Sequence, residues 1–243
     1  TIDIRTDRYV TRGGPGDHAG CYNGHRTEYR CKPGENEFLG LDWQACEALL
    51  FTIPPSVTVL SLGYRITEYD AEILPILRTG DREADRLLRK CARTLKACMR
   101  DNFMDCPDRE RGQWIGDICV QAPQVFYALD RNAIPLLKKA IRNFILLRRG
   151  DVLVGNVPGI HAGELPPQSL NAISDIGMIR VYYDFTGDRE ALDLAFEPAI
   201  RYLALWPMEP DGRLGKREGD WNWYDHLANC DQPVLRSEER RVG

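Results

Sequence analysis

The 243-residue sequence contains no apolar run close to the ~18–20 residues that a membrane-spanning helix needs. It contains no Cys-x-x-Cys pair, so the ligand spacing of a structural zinc site is absent. Its four histidines are dispersed and share no metal-ligand spacing. We therefore predict no membrane span, no metal and no cofactor.

The sequence also lacks an excess of positive charge. It has 32 Lys and Arg against 36 Asp and Glu, a net charge of −4, and no basic cluster in its folded part. Binding to nucleic acid depends on neutralising phosphates, so no nucleic-acid partner is expected. A serine nucleophile elbow and a phosphate-binding glycine loop are absent too.

The eight cysteines are scattered, unlike the disulfide framework of a short secreted protein. Most are predicted to be small buried apolar side chains, with Cys91 and Cys98 on one buried helix face. The first five residues do not read as a signal peptide, so the compartment stays open, as does the oligomeric state.

What is present divides into two halves with different periodicity. Residues 1–78 read as β structure, because glycine and proline separate short runs, and Val57–Arg65 is rich in β-branched and aromatic residues after Pro54-Pro55. From Asp81 the spacing becomes helical, with one apolar stripe from Leu87 to Met99. The sequence predicts an α+β chain of two domains, with a β-sandwich piece first.

The second half, residues 79–235, is predicted to be all helical. The first helix should run for about twenty residues from Asp81, and further helical segments are expected near 114–129, 132–149, 167–185 and 189–206. Thr186-Gly187-Asp188 supplies a glycine stop and an aspartate cap between the last two. Helices joined by short turns form αα-hairpins.

The densest polar segment lies between the first two predicted helices, from Asp105 to Asp117. It carries carboxylates, guanidinium groups and an indole in thirteen residues, more than a connecting loop needs. A protonated carboxylic acid can donate to a glycosidic oxygen, and neighbouring carboxylates can accept sugar hydroxyls. A charged loop held by local ion pairs is the structural alternative.

This segment resembles the acid motif of bacterial α-L-rhamnosidases, glycoside hydrolase family 78, whose pattern runs Asp-Cys-Pro-x-Arg-Glu-Arg-x-Gly-Trp-x-Gly-Asp. The pattern is matched in register except at Gln113, where the family usually has glycine. The segments 43–69, 164–170 and 219–225 are similar to further parts of these enzymes. The resemblance implies the end of a β-sandwich followed by the first half of an (α/α)6 six-hairpin barrel.

The resemblance also implies an inverting hydrolase of terminal α-L-rhamnosides, acting on a rhamnose-containing glycan or glycoside. Glu110 would be the general acid that protonates the leaving oxygen. The residues implied to hold the sugar are Asp105, Arg109, Trp114, Asp117, Trp221 and, more weakly, Asp220. The family's general base belongs to a later Trp-Glu motif that Glu164 and Glu218 do not match, so the base is expected beyond the chain end.

The chain is accordingly expected to be part of a longer enzyme and to have little or no activity alone. Residues 236–243 form a charged run similar to a translated sequencing-adapter oligonucleotide, and we expect them to be a non-native tail. Two other functions stay open: an (α/α)6 glycosidase acting on a different sugar or uronide, and a non-catalytic carbohydrate-binding or structural protein.

Overall fold

The computed structural model describes residues 1–7, 25–75, 78–108, 110–159, 163–220 and 235–236. These residues fall into two compact units. The first unit comprises Thr1–Thr67 and Cys106–Arg111, and the second comprises Glu68–Asp105 and Gly112–Gly243. The architecture is mixed, as predicted, with a small sheet in the first unit and six α-helices among the described residues of the second.

The first unit is built on a three-stranded antiparallel sheet. Its strands are β1 (Ile2–Thr6), β2 (Arg26–Tyr29) and β3 (Leu49–Thr52), in the order β2-β1-β3. Ile4 lies at the centre and pairs with Thr27 on one side and Phe51 on the other. Asp3 on the central strand accepts hydrogen bonds from the guanidinium groups of Arg5 and Arg26, which lower its pKa to about 2.

The prediction of a strand over Val57–Arg65 is wrong, because this segment has no regular secondary structure. Its apolar side chains are mostly exposed, with Leu60 at 73% and Tyr64 at 85%. β-Branched and aromatic residues favour a strand only where they pack on a pleated, half-buried surface. Composition alone therefore predicted a structure that the segment does not adopt.

Caps and glycines fix the bounds of the helices in the second unit. The Asp81 carboxylate accepts the N–H groups of Glu83 and Ala84, and the Asp188 carboxylate accepts that of Glu190. The helices are α1 (Arg82–Ala97), α2 (Ile115–Ala128), α3 (Ile134–Leu146), α4 (Pro166–Ala172), α5 (Met178–Thr186) and α6 (Arg189–Ala204). Strands β4 (Arg213–Leu214) and β5 (Leu235–Arg236) pair after them.

Two predicted helices differ from the structure. The first is 16 residues long rather than about twenty, and the segment near 167–185 is two helices separated at residues 173–177. The Ser174 hydroxyl donates to the carbonyl of Asn171, and a Cβ on Gly177 would lie 2.3 Å from that carbonyl oxygen. The chain therefore turns tightly where a continuous helix was expected.

The cysteine prediction holds only in part. Cys98 and Cys119 are buried, but Cys91 is exposed, so Cys91 and Cys98 do not share a buried face. The predicted apolar stripe is covered only towards its end: Leu95 in α1 and Met99 just after the helix are buried, whereas Leu87 is 61% exposed. Cys31, Cys46 and Cys106 are half-buried, and Cys21 and Cys230 lie outside the described residues.

The core of the second unit lies between its helices. Helix α2 packs against α1, α3, α4 and α5, and α6 packs against α3 and α5. Fully buried side chains include Ile118, Leu137, Ile141, Phe144 and Tyr202. This core supports both ends of the Asp105–Asp117 segment, because that segment begins shortly after α1 and runs into the first turn of α2.

Candidate functional site

Residues 105–114 of the Asp105–Asp117 segment form a loop closed at a neck, where Asp105 and Gly112 are bonded to each other, and residues 115–117 belong to α2. The Asp105 N–H donates to the Gly112 carbonyl at 2.9 Å, and the Gly112 N–H donates to the Asp105 carboxylate at 3.1 Å. Both residues belong to the second unit. The predicted sugar ligand Asp105 therefore has a structural task as well, since its carboxylate joins the two ends of the loop.

The tip of the loop, residues 106–111, groups with the first unit. Glu110 is half-buried there, and its N–H donates to the Cys106 sulfur at 3.4 Å. The Arg111 Nε donates to the Pro107 carbonyl at 3.0 Å. These two bonds join the chain before Glu110 to the chain at and after it. Arg109, which is predicted to hold sugar, lies outside the described residues.

The part of the loop that follows the neck is tied to residues 155–158 by backbone hydrogen bonds. Gln113 donates to Pro158 at 3.0 Å and accepts from Val157 at 3.2 Å, and Ile115 donates to Gly155 at 2.9 Å. This antiparallel pairing lies within the second unit. It fixes the direction in which the chain enters α2.

Gln113, the departure from the family pattern, is 1% exposed and uses its side chain in the same pairing. Its Nε2 donates to the Val157 carbonyl, which adds a side-chain bond to the backbone ladder. Its Oε1 is buried and has no hydrogen-bond partner among the described residues. The carboxamide of the neighbouring Asn156 is also fully buried, and neither its oxygen nor its nitrogen has a hydrogen-bond partner among the described residues.

The start of α2 carries Trp114 and Asp117, two further predicted sugar ligands. Trp114 is at the N-cap position and only 6% exposed, so most of its ring surface is packed. Asp117 is exposed in the first helical turn, where a carboxylate is favoured by the helix dipole. Their contact with sugar stays a prediction.

A second polar cluster, not predicted from the sequence, surrounds Glu164. This carboxylate is 4% exposed and accepts bonds from Arg217 Nε at 2.7 Å, Arg217 Nη2 at 3.1 Å and the Tyr202 hydroxyl at 2.9 Å. Burial raises the pKa of Tyr202 well above its usual range, and the nearby Glu164 charge raises it further. The hydrogen bonds to Glu164 raise the pKa of Arg217.

The same cluster includes Asp220, the weakest of the predicted sugar ligands. Its carboxylate accepts the N–H of Glu164 at 2.6 Å and a hydrogen bond from Arg149. The Glu164 N–H and the Arg149 guanidinium hold the pKa of Asp220 below its usual range. Asp220 thus fixes the loop around residue 164, and a contact with sugar would be an additional role.

The structure places the predicted residues in separate groups. Asp105, Trp114, Asp117 and Asp220 belong to the second unit, and Glu110 belongs to the first. Trp221, like Arg109, lies outside the described residues. No sequence signal pointed to the Glu164 cluster, because Glu164 and Arg217 are 53 positions apart.

Among the described residues, no group of three or more His, Cys, Asp or Glu side chains is arranged to hold a metal ion. Within the same ranges no helix is both long enough and apolar enough to cross a membrane.

The chain resembles solved structures of rhamnosidases. A rhamnosidase from Bacillus sp. GL1, of glycoside hydrolase family 78, matches 92% of this chain with a TM-score of 0.68 at 18% identity. An α-L-rhamnosidase from Dictyoglumus thermophilum matches 84% with a TM-score of 0.55 at 16% identity. A Klebsiella oxytoca rhamnosidase, solved with rhamnose bound, matches 60% with a TM-score of 0.50 at 24% identity.

Identities this low establish similarity of fold alone. The chain spans only 23%, 23% and 29% of those three structures, respectively. A search of curated proteins gives no match. The family itself follows from the sequence, since a model of the bacterial alpha-L-rhamnosidase 6 hairpin glycosidase domain matches residues 74–242. The chain belongs to the bacterial α-L-rhamnosidase six-hairpin glycosidase family.

Proposed function

We propose that this chain carries the acid side of an inverting α-L-rhamnosidase active site, with Glu110 as the general acid. The main support is the family match over residues 74–242 together with the register of the Asp105–Asp117 loop on the family's acid motif. The substrate would be a terminal α-L-rhamnoside of a glycan or glycoside. The rhamnose bound to the Klebsiella oxytoca relative supports this substrate class.

Glu110 would act by donating its proton to the glycosidic oxygen as the bond to the anomeric carbon breaks. Inversion also requires a second carboxylate, typically ~6.5–9.5 Å from the acid, to activate water on the opposite face of the sugar. In this proposal the base is not a carboxylate of any motif found in this chain. Glu164 is a poor candidate, because its carboxylate is buried in contact with Arg217 and Tyr202.

The sugar would be held by polar groups from the same loop and by an aromatic wall. Asp105 and Asp117 can accept hydrogen bonds from hydroxyls, and Arg109 can donate them. The indoles of Trp114 and Trp221 would cover the apolar face of the ring, with Asp220 as an additional ligand. In this proposal Asp105 both closes the loop neck and faces the sugar.

The proposal extends to the domains. Residues 1–78 would be the end of a β-sandwich and residues 79–235 the first half of an (α/α)6 barrel, while the family match continues to residue 242, into the predicted tail of residues 236–243. The helix-turn-helix order of the second unit supports the barrel assignment. On this basis the 243-residue chain alone would show little or no hydrolysis.

The test transplants this chain's loop into an intact relative. Residues 105–117 replace the matching segment of the Bacillus sp. GL1 enzyme, and hydrolysis of aryl and alkyl α-L-rhamnosides is measured with and without Glu110→Gln. General acid catalysis contributes roughly 10²–10⁴-fold, so the alkyl substrate should lose about that factor. The nitrophenyl substrate should lose less, because its leaving group needs less protonation.

Asp108→Asn in the same graft is the matched control, because Asp108 stands at a variable position of the motif. It should retain turnover. Equal turnover of the alkyl substrate by the graft with and without Glu110→Gln would reject the acid assignment. A graft that hydrolyses a different aryl glycoside in preference to the rhamnoside would redirect the proposal to another sugar.

A further inference from the structure

Arg111, the residue after Glu110, has an unusual backbone conformation. Its φ is +56°, and among the described residues it alone combines a positive φ with a side chain other than glycine. In this region the Cβ crowds the following carbonyl, so the conformation is unfavourable unless surrounding contacts impose it. The Arg111 side chain provides such contacts.

The Arg111 guanidinium is held on one side by Trp43. Its central carbon lies 3.7 Å from the centroid of the Trp43 ring, a cation–π distance, and its Nη2 donates to the Trp43 carbonyl at 3.4 Å. The Nε donates to the Pro107 carbonyl at 3.0 Å, within the loop tip. All of these residues belong to the first unit.

His25 holds the same guanidinium from another direction. The distance from Arg111 Nη2 to His25 Nε2 is 3.0 Å. Because a guanidinium only donates, Nε2 must accept and the ring proton must be on Nδ1. Nδ1 lies 3.3 Å from a carboxylate oxygen of Asp42, close enough for an electrostatic contact. His25 is therefore oriented by an acid on one side and the arginine on the other.

The backbone at Glu110 is therefore restrained at its own N–H and at the residue that follows it. Its own N–H is bonded to Cys106, and the side chain of the residue that follows it contacts Trp43, His25 and Pro107. We infer that Arg111 is a positioning residue that, through Trp43 and His25, restricts the side chain of Glu110 to one orientation. The inference rests on the proposed function for its catalytic meaning, but the restriction itself can be measured without it.

The first experiment measures the rotamer of Glu110 in the 243-residue chain by NMR, from the couplings of its β-protons. One rotamer is expected in the wild type, and averaged couplings are expected in Arg111→Gly, which accepts the positive φ but lacks the guanidinium. Arg111→Lys keeps a cation for Trp43 and should restore part of the order. Arg65→Met, at an exposed arginine of the same unit, should change nothing.

The second experiment is a double-mutant cycle on the binding of a non-hydrolysable aryl thio-α-L-rhamnoside to the same chain. If Arg111 acts through Glu110, Arg111→Lys should weaken binding about tenfold in the presence of Glu110 and hardly at all in Glu110→Ala. A loss of equal size in both backgrounds would mean that Arg111 acts independently, and it would overturn the inference.

The two experiments separate the inference from the proposed function. A wild-type chain that does not bind the thio-rhamnoside would count against the function, while the NMR result would still decide the restriction. If Arg111→Gly unfolds the first unit, the β-proton couplings of Glu110 in Arg111→Lys decide whether Arg111 restricts the Glu110 side chain. Unchanged Glu110 couplings in the folded Arg111 variants would overturn the inference whatever the binding result.

Discussion

Replacing Glu164 by alanine is expected to destabilise the second unit strongly. The carboxylate is almost fully buried, and its removal deprives Arg217, whose side chain is 17% exposed, and the Tyr202 hydroxyl of the Glu164 oxygens, leaving the arginine charge without its carboxylate partner. Breaking a buried ion pair by removing one partner costs about 3–5 kcal/mol. The free energy of unfolding should fall by about that amount.

The assay is urea unfolding followed by tryptophan fluorescence. Trp206 is buried, and its ring lies edge-on to that of Tyr202 at 6.2 Å between centroids, so its contribution to the fluorescence of the five tryptophans reports on this region. The midpoint should fall while the slope with urea stays constant, since the surface exposed on unfolding is unchanged. Glu197→Ala, which removes an exposed ion pair with Arg201, should cost only about 0.5 kcal/mol.

A double variant distinguishes the effect of removing one charge of the pair from the effect of removing both. Glu164→Leu combined with Arg217→Met removes both charges, and apolar replacement of a buried pair is often close to neutral. We expect the double variant to be more stable than Glu164→Ala by at least about 2 kcal/mol. A loss below about 1 kcal/mol for Glu164→Ala, or a double variant that is no more stable, would refute this reasoning.

Three further predictions concern the second unit. Gly187→Ala should lower the free energy of unfolding by about 1 kcal/mol in the same urea assay, because φ is +67° there. Burial and a hydrogen bond to Asp188 raise the pKa of Tyr182 to about 12, from about 10 when unfolded. The stability that Tyr182 contributes should therefore be complete below pH ~10 and be lost as the pH rises through ~12. Urea unfolding at a series of pH values will test this. Gln113→Gly, which introduces the family residue, should cost about 1 kcal/mol by urea unfolding. The lost bond to Val157 and the flexibility of glycine outweigh the removal of the buried, unpaired Oε1. Unchanged stability of this variant would contradict the role given to the Gln113 side chain.

The local features of the helical unit were predictable from the sequence. The first helix begins directly after Asp81, close to where the spacing predicts it, Asp188 caps α6 as expected, and Gly187 ends α5 in a left-handed conformation. These signals act within a few residues, so their partners are close along the chain. The prediction for Val57–Arg65 failed for the opposite reason, because a strand needs a partner that its own residues do not specify.

The loop from Asp105 to Asp117 was located correctly, but the interactions that hold it could not be predicted. Arg111 contacts His25 across 86 positions, and Trp43 across 68. The sequence does not encode such pairings in any local spacing. The same limit applies to Glu164, because nothing near it in the sequence points to its half-buried partner, Arg217, 53 positions away.

The central claim is that Glu110 protonates the leaving group of an α-L-rhamnoside, and one ratio tests it most directly. In the grafted Bacillus sp. GL1 enzyme, the loss of turnover caused by Glu110→Gln is compared between an alkyl and a nitrophenyl rhamnoside. We predict a loss of roughly 10²–10⁴-fold for the alkyl substrate and a much smaller loss for the nitrophenyl substrate. Equal losses on both substrates, or no loss on either, would contradict the assignment.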